Sequence, residues 1–192
     1  AHSWESYGNI TLCGNVYDGV KPCSLQQIAM ALDACNLPMQ VAHCLQNLHG
    51  DFSVIIHKTT MACIAVSHTR LYPLFYRFVN NDWHVTDNPA ILHQKADVIS
   101  PEACRQYLYT GAPLAGNTLV KGLKQGKPAY VTLFEEQRIT TLPFGPYTAP
   151  IVTPFLEKTE ADKAFETVLQ TVFKRVLNSV ANRQVVVPLS GG

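Results

Sequence analysis

No stretch of the chain approaches the ~18 consecutive apolar residues of a membrane span, and Ala1-His2-Ser3-Trp4-Glu5 has no basic segment leading into an apolar one. The expectation is therefore no membrane contact and no leader. Charge is scarce: Asp, Glu, Lys and Arg make up 15% of 192 residues, the formal net charge is +1, and the basic residues are scattered. A nucleic-acid partner is not expected, because such surfaces cluster Lys and Arg to displace counterions. Also missing is any Cys-x-x-Cys pair among Cys13, Cys23, Cys35, Cys44, Cys63 and Cys104. A chain of this length buries a core without covalent staples, so the six read as reduced thiols of a cytoplasmic protein. His43, His49, His57, His68, His84 and His93 lack a metal-ligand spacing. No Gly-x-x-x-x-Gly-Lys phosphate loop occurs.

What is present is 47% hydrophobic residues arranged in two successive textures. Gly8 to Tyr17 reads as a strand that Gly14 interrupts. Ser24, with Gln27 three residues on, predicts a capping box and a helix over about Leu25 to Ala34. Met39, Ala42, Leu45 and Leu48 repeat the helical period, with His49-Gly50 as the expected stop. From Phe52 the pattern turns to β: FSVIIH, CIAVSH, PLFYRFV and DWHVT, four strands expected to form one antiparallel meander. Ser100-Pro101-Glu102 predicts a capped helix through Cys104, Tyr107 and Leu108 that Gly111 closes. AYVTLF and RITTL predict one more hairpin.

Four prolines and Gly145 between Pro143 and Pro154 mark a connection between domains. The boundaries expected are 4–148 for the first domain, 149–157 for a linker and 158–192 for the opening of a second. In the second, Phe165, Val168, Leu169, Val172, Phe173, Val176, Leu177 and Val180 form a helical stripe read as core. Val185-Val186-Val187-Pro188-Leu189 reads as a strand buried on both faces. It runs into Ser190-Gly191-Gly192, where glycines let backbone N–H groups close around an anion.

Val187-Pro188-Leu189-Ser190-Gly191-Gly192 resembles the start of the Ser-Gly-Gly-x-Asp-Ser loop of the ATP pyrophosphatases. Ahead of it, Leu48-His49-Gly50-Asp51-Phe52 resembles the Leu-x-Gly-x-Phe turn of the asparagine synthetases, and Tyr72-Pro73-Leu74-Phe75-Tyr76 their Lys-Pro-Leu-Tyr-Tyr. Ser100-Pro101-Glu102 to Tyr107-Leu108, with Lys121-Gly122, resembles their closing helix and Phe-Lys-Gly turn. The resemblance covers nearly the full chain in order and spacing. It implies an α+β fold, an N-terminal-nucleophile (Ntn) type αββα sandwich of two antiparallel sheets. The first helix and strand of a doubly wound α/β ATP-pyrophosphatase domain would follow.

The same resemblance implies ATP with magnesium as cofactor and a carboxylate substrate, small molecule or peptide, activated as an acyl-adenylate and attacked by an amine. Ser190, Gly191 and Gly192 would hold phosphates and Pro188 would lie by the adenine. Glutamine hydrolysis is not implied, because that family uses a Cys at the first position with its own amine as base, and residue 1 is Ala. The family's Arg-His-Arg-Gly-Pro-Asp stretch is absent too, so the start of the domain is expected to be shortened or removed. Its Asn-Gly-Glu-Ile-Tyr-Asn falls on Cys13-Gly14-Asn15-Val16-Tyr17-Asp18, where a thiol replaces the oxyanion-binding amide. Its Asp-Arg-x-Gly becomes Ser67-His68-Thr69-Arg70. Gly14 alone is carried over, as a remnant of the oxyanion hole, and Cys13 is expected to be buried and inert. Three functions stay open. One is an amide-ring-closing relative with a silent glutaminase domain, of the β-lactam synthetase or lasso-peptide cyclase type. Another is an asparagine synthetase fed with ammonia, and the third is a non-catalytic scaffold that binds a partner protein or a second copy.

Overall fold

The computed structural model describes residues 3–145, 157–180 and 183–186. In chain order the elements are β1 (Glu5–Tyr7), β2 (Ile10–Asp18), β3 (Lys21–Pro22), α1 (Leu25–Asp33), α2 (Pro38–Leu45), β4 (His49–Lys58), β5 (Met61–Val66), β6 (Phe75–Val79) and β7 (Asp82–Thr86). A 3-10 turn (Pro89–Leu92), α3 (Pro101–Thr110), β8 (Lys124–Gln125), β9 (Tyr130–Glu135), β10 (Arg138–Pro143) and α4 (Lys158–Val180) follow. The strands make two antiparallel sheets. One has seven strands, in the order β1-β2-β4-β5-β9-β10 with β3 paired to β2; the other has three, β7-β6-β8.

Alternation along the strands decides how the layers stack. Ile10, Leu12 and Val16 of β2, Phe52, Val54 and Ile56 of β4, and Met61, Cys63 and Ala65 of β5 leave one face of the larger sheet. They meet Ile28, Ala29 and Leu32 of α1 and Val41, Ala42 and Leu45 of α2. Each fully buried aliphatic side chain here contributes about 1.5–3 kcal/mol. From the other face, Ile64 and Val66 close on Leu74 and Tyr76 of the smaller sheet's side. Tyr76 stands edge-on to Trp83 and Phe134, with ring centroids 6.0 and 5.3 Å away. Two indole N–H groups span the gap between sheets: Trp4 Nε1 donates to Asp87 Oδ2 at 2.9 Å and Trp83 Nε1 to the Glu135 carbonyl at 3.0 Å. Outside the smaller sheet, the Arg77 guanidinium donates to the Leu92 carbonyl at 3.1 Å and lies 2.5 Å from the Asp97 carboxylate. The architecture is α+β, two antiparallel sheets with flanking helices.

Several expectations need correction. The four strands from Phe52 onward do not form one meander, because β5 pairs with β9 while β6 and β7 pair in the other sheet. A period of two fixes which face a side chain takes and not which strand lies beside it. His49-Gly50 does not stop α2, which ends at Leu45; both residues belong to β4. Ser24 precedes α1 as expected but makes no side-chain cap bond. At α2 the cap comes from Gln40, whose Oε1 accepts from the Asn36 and Leu37 N–H groups at 2.8 and 3.1 Å. Ser100 behaves as read: its Oγ accepts from Ala103 N at 3.2 Å, and Gly111 closes α3 in the left-handed region.

The second half departs further. α4 forms over the residues expected, yet none of it is buried; Phe165 is 64% exposed and Phe173 62%. Among the described residues it touches the β2–β3 end of the sandwich, where Arg175 Nε donates to the Gly19 carbonyl at 2.5 Å and the guanidinium lies 5.9 Å from the Tyr17 ring centre. The stripe read as core is therefore an uncovered apolar face. Among the described residues Gln184, Val185 and Val186 pair with no strand, and both valines are exposed. Val187, Pro188, Leu189, Ser190, Gly191 and Gly192 lie outside the described residues, as does most of the proline-rich connection.

Candidate functional site

Gly14 sits in the middle of β2 opposite Phe52; next to it Asn15 faces Asp51 and Val16 faces Gly50. The two strands approach so closely here that side chains have no room. A Cβ on Gly14 (φ +129°) would lie 2.1 Å from the Asp51 carbonyl oxygen and 2.7 Å from Phe52 Cα. One on Gly50 (φ +102°) would lie 2.2 Å from the Asn15 carbonyl oxygen. The pair of glycines brackets the Asn15–Asp51 rung from both sides. A backbone interruption at Gly14 was legible in the sequence; the matching role of Gly50 was hidden, because a glycine after a helical pattern reads as a stop signal.

Cys13 precedes this pinch. Its register partners, Ser53 and then Val66, place it on the face that the smaller sheet covers. It is 1% exposed. Burial pushes the thiol up to about 12, with the Asp87 charge adding to the rise and a hydrogen bond from the Ser53 backbone opposing it. The thiolate is the reactive form of cysteine, and at neutral pH it is all but absent here. As an oxyanion donor the thiol is equally poor, being a weak donor that points into a closed core.

The polar groups around the pinch satisfy one another. Thr69 Oγ1 donates to Asp51 Oδ1. Ser67 Oγ lies 3.5 Å from Thr69 Oγ1, and Ser53 Oγ donates to the Tyr72 carbonyl at 2.5 Å. Ser53 and Ser67 are fully buried. His68 packs edge-on against Phe144, with ring centroids 5.9 Å apart. The segment Ser67-His68-Thr69-Arg70, which departs from the resembled family's pattern, thus lies along this end of the sandwich, with Ser67 buried and His68 and Thr69 exposed. The Asp51–Thr69 bond had no signal in the sequence beyond that departure. A cavity of about 520 Å³ opens near Met39, His43, Gln46 and Phe144, on the helical side of the larger sheet and away from Cys13. Among the described residues no group of three or more His, Cys, Asp or Glu gathers to hold a metal, and no helix is long and apolar enough to cross a membrane.

Of the residues expected to carry function, the structure describes only Gly14, at this pinch; Cys13, expected to be buried, is buried beside it. Pro188, Ser190, Gly191 and Gly192 are outside the described residues. No protein-family model matches the chain, and no curated protein matches it. Among solved structures, a glutamine phosphoribosylpyrophosphate amidotransferase from B. subtilis complexed with ADP and GMP matches at TM-score 0.43 and 14% identity, over 72% of this chain and 30% of that one. An allosteric regulatory enzyme of purine biosynthesis matches with the same values. The likeness is distant and partial, and this chain spans less than a third of the length of those proteins.

Proposed function

We propose that residues 4–148 are a glutaminase-like Ntn-type domain that does not hydrolyse glutamine. In this reading it is joined through 149–157 to the start, 158–192, of an ATP-dependent amide-bond-forming domain. The reaction class is activation of a carboxylate as an acyl-adenylate followed by attack of an amine of the same substrate, as in ring-closing relatives of the asparagine synthetases. The observation that carries the silent half of the reading is Cys13. It stands where the resembled family has its oxyanion amide, and it is sealed between the sheets with its thiol pushed up to about 12. A domain that keeps the sandwich and the Gly14 pinch but closes the pocket fits a supporting role. The adenylating half rests on the sequence alone, through the resemblance of Pro188, Ser190, Gly191 and Gly192 to an ATP grip. Magnesium-bound ATP would be the cofactor there. A non-catalytic scaffold is the second reading, favoured by the uncovered apolar face of α4.

Two measurements test this. Glutamine incubated with the folded chain should release no ammonia above a denatured control, and release above it would end the silent-domain reading. Titrated with Mg-ATP in a calorimeter, the 192-residue chain should bind weakly or not at all, whereas the chain prolonged past Gly192 by its own coding sequence should bind with magnesium. Micromolar binding by the shorter chain would move the nucleotide site elsewhere. No binding by the longer one would leave the scaffold.

A further inference from the structure

Three of the six thiols, Cys23, Cys35 and Cys44, gather where α1 meets α2. Cys35 lies just past the end of α1 and Cys44 in the last turn of α2, and their sulfurs are 3.5 Å apart. A disulfide needs about 2.05 Å, so roughly 1.5 Å of approach would join them. The two differ in access. Cys35 is 4% exposed, and its Sγ faces the Ala31 carbonyl at 3.4 Å. Cys44 is half-buried and lines a small cavity of about 160 Å³ that Cys23, Gln27, Ile28 and Leu48 also line.

Lys58 sits beneath the same joint. Its ammonium donates to the Leu32 and Cys35 carbonyls at 3.2 and 2.8 Å and also to that of Asp33. Its charge favours a thiolate at Cys35, against the burial that pushes this thiol up to about 11. Access and charge therefore suit different steps: Cys44 meets a reagent from solvent, and Cys35 waits behind it beside a cation.

We propose that Cys35 and Cys44 are a thiol–disulfide pair, a reversible covalent clamp between α1 and α2 that a small disulfide oxidises. The Cys44 thiolate attacks one sulfur of that disulfide, forming a mixed disulfide and expelling one small thiolate. The Cys35 thiolate then attacks the Cys44 sulfur and expels the second. Two protein thiols and one small disulfide become one protein disulfide and two small thiols, with the two protons taken by the leaving thiolates. The clamp locks α2, and with it Met39, His43 and Gln46, over the cavity those side chains line. It is independent of the glutamine and ATP chemistry proposed above.

The methionines make the linkage readable. Cyanogen bromide cuts after Met30, Met39 and Met61, the 3 methionines of the chain, which leaves Cys35 in fragment 31–39 and Cys44 in fragment 40–61. Cys13 and Cys23 fall in 1–30, and Cys63 and Cys104 in 62–192. The reduced, folded chain is incubated with oxidised glutathione, its remaining thiols are blocked, and it is cleaved in acid. Fragments 31–39 and 40–61 should stay joined until a reductant is added. Cys35→Ser should retain glutathione on Cys44, and Cys44→Ser should leave Cys35 unmodified over the same time. The linked chain should melt about 5 °C higher than the reduced one. Release of free 31–39 from the oxidised wild type, attachment of 40–61 to 1–30 or to 62–192, or an unchanged melting midpoint in the linked chain would each overturn the proposal.

Discussion

Replacing Gly14 by alanine drives a methyl group into the backbone of β4. The new carbon would meet the Asp51 carbonyl oxygen at 2.1 Å and Phe52 Cα at 2.7 Å. Neither atom can swing away as a side chain would, so β2 and β4 must separate. Two costs add. Holding an L-residue at φ +129° costs roughly 1–2 kcal/mol, and forcing a methyl into a filled space typically costs about 1–3 kcal/mol. Gly14→Ala should therefore lose about 2–5 kcal/mol, a large part of a total stability of roughly 5–15 kcal/mol. With a urea slope of about 2–3 kcal/mol per molar, the upper part of the usual range as suits a chain of this length, the midpoint followed by far-UV circular dichroism should fall by about 1–2.5 M. Gly8→Ala is the internal control: Gly8 also has positive φ (+60°), but nothing lies within 4 Å of its would-be Cβ. It should lose only the backbone part, about 1–2 kcal/mol. Equal losses for the two variants would show that the close approach at Gly14 does not exist and would refute the pinch.

Lys58→Ala removes the ammonium that three carbonyls at the end of α1 share, from a side chain 9% exposed; a loss of about 2–3 kcal/mol in urea titrations is expected. Asp97 is held below its ordinary value by the Gln94 backbone N–H first and by Arg77 next. It therefore adds stability above its unfolded pKa near pH ~4 and loses it as pH falls through the lower folded value. The acid-unfolding midpoint should accordingly lose this component in Asp97→Asn; identical acid titrations for the two proteins would contradict that. On the alkaline side the sign reverses. Burial, as the first cause, pushes Cys13 and Cys63 up to about 12 and Cys35 up to about 11. Their stability contribution is intact below the unfolded thiol value of ~8.5 and drains above it, by about 1.4 kcal/mol per pH unit for each thiol. A urea midpoint that stays flat from neutral pH to pH ~10 would count against the sealed thiols.

Local signals carried the parts of this fold that local chemistry decides. Ser100, Pro101 and Gly111 specify both ends of α3 within a dozen residues, and Asn80-Asn81, at φ +52° and +63°, turns β6 into β7 as an Asn pair at a two-residue hairpin should. What stayed hidden was decided at a distance. The partner of β5 is β9 rather than β6, a choice made by the crossing of residues 67–74 to the other sheet. At the site the burial of Cys13 was legible from the apolar run around it, and the structure bears it out; what covers it was not, because only the arrival of a second sheet makes the face opposite Leu12 an interior. In α4 the 3.6-residue period shows that one face is apolar, and says nothing of what covers it.

The two tryptophans make the sandwich its own spectroscope. Trp4 and Trp83 are the only 2 indoles in the chain, and each ties one sheet to the other through its N–H. The helical layer on the far side, α1 and α2, contains no Trp, Tyr or Phe. Emission from this protein therefore reads the separation of its sheets and is blind to its helices, whereas the far-UV signal records both. If the helices lift away before the sheets part, the two curves will diverge along the same denaturant axis, and the order in which the layers come apart can be read without attaching a single label.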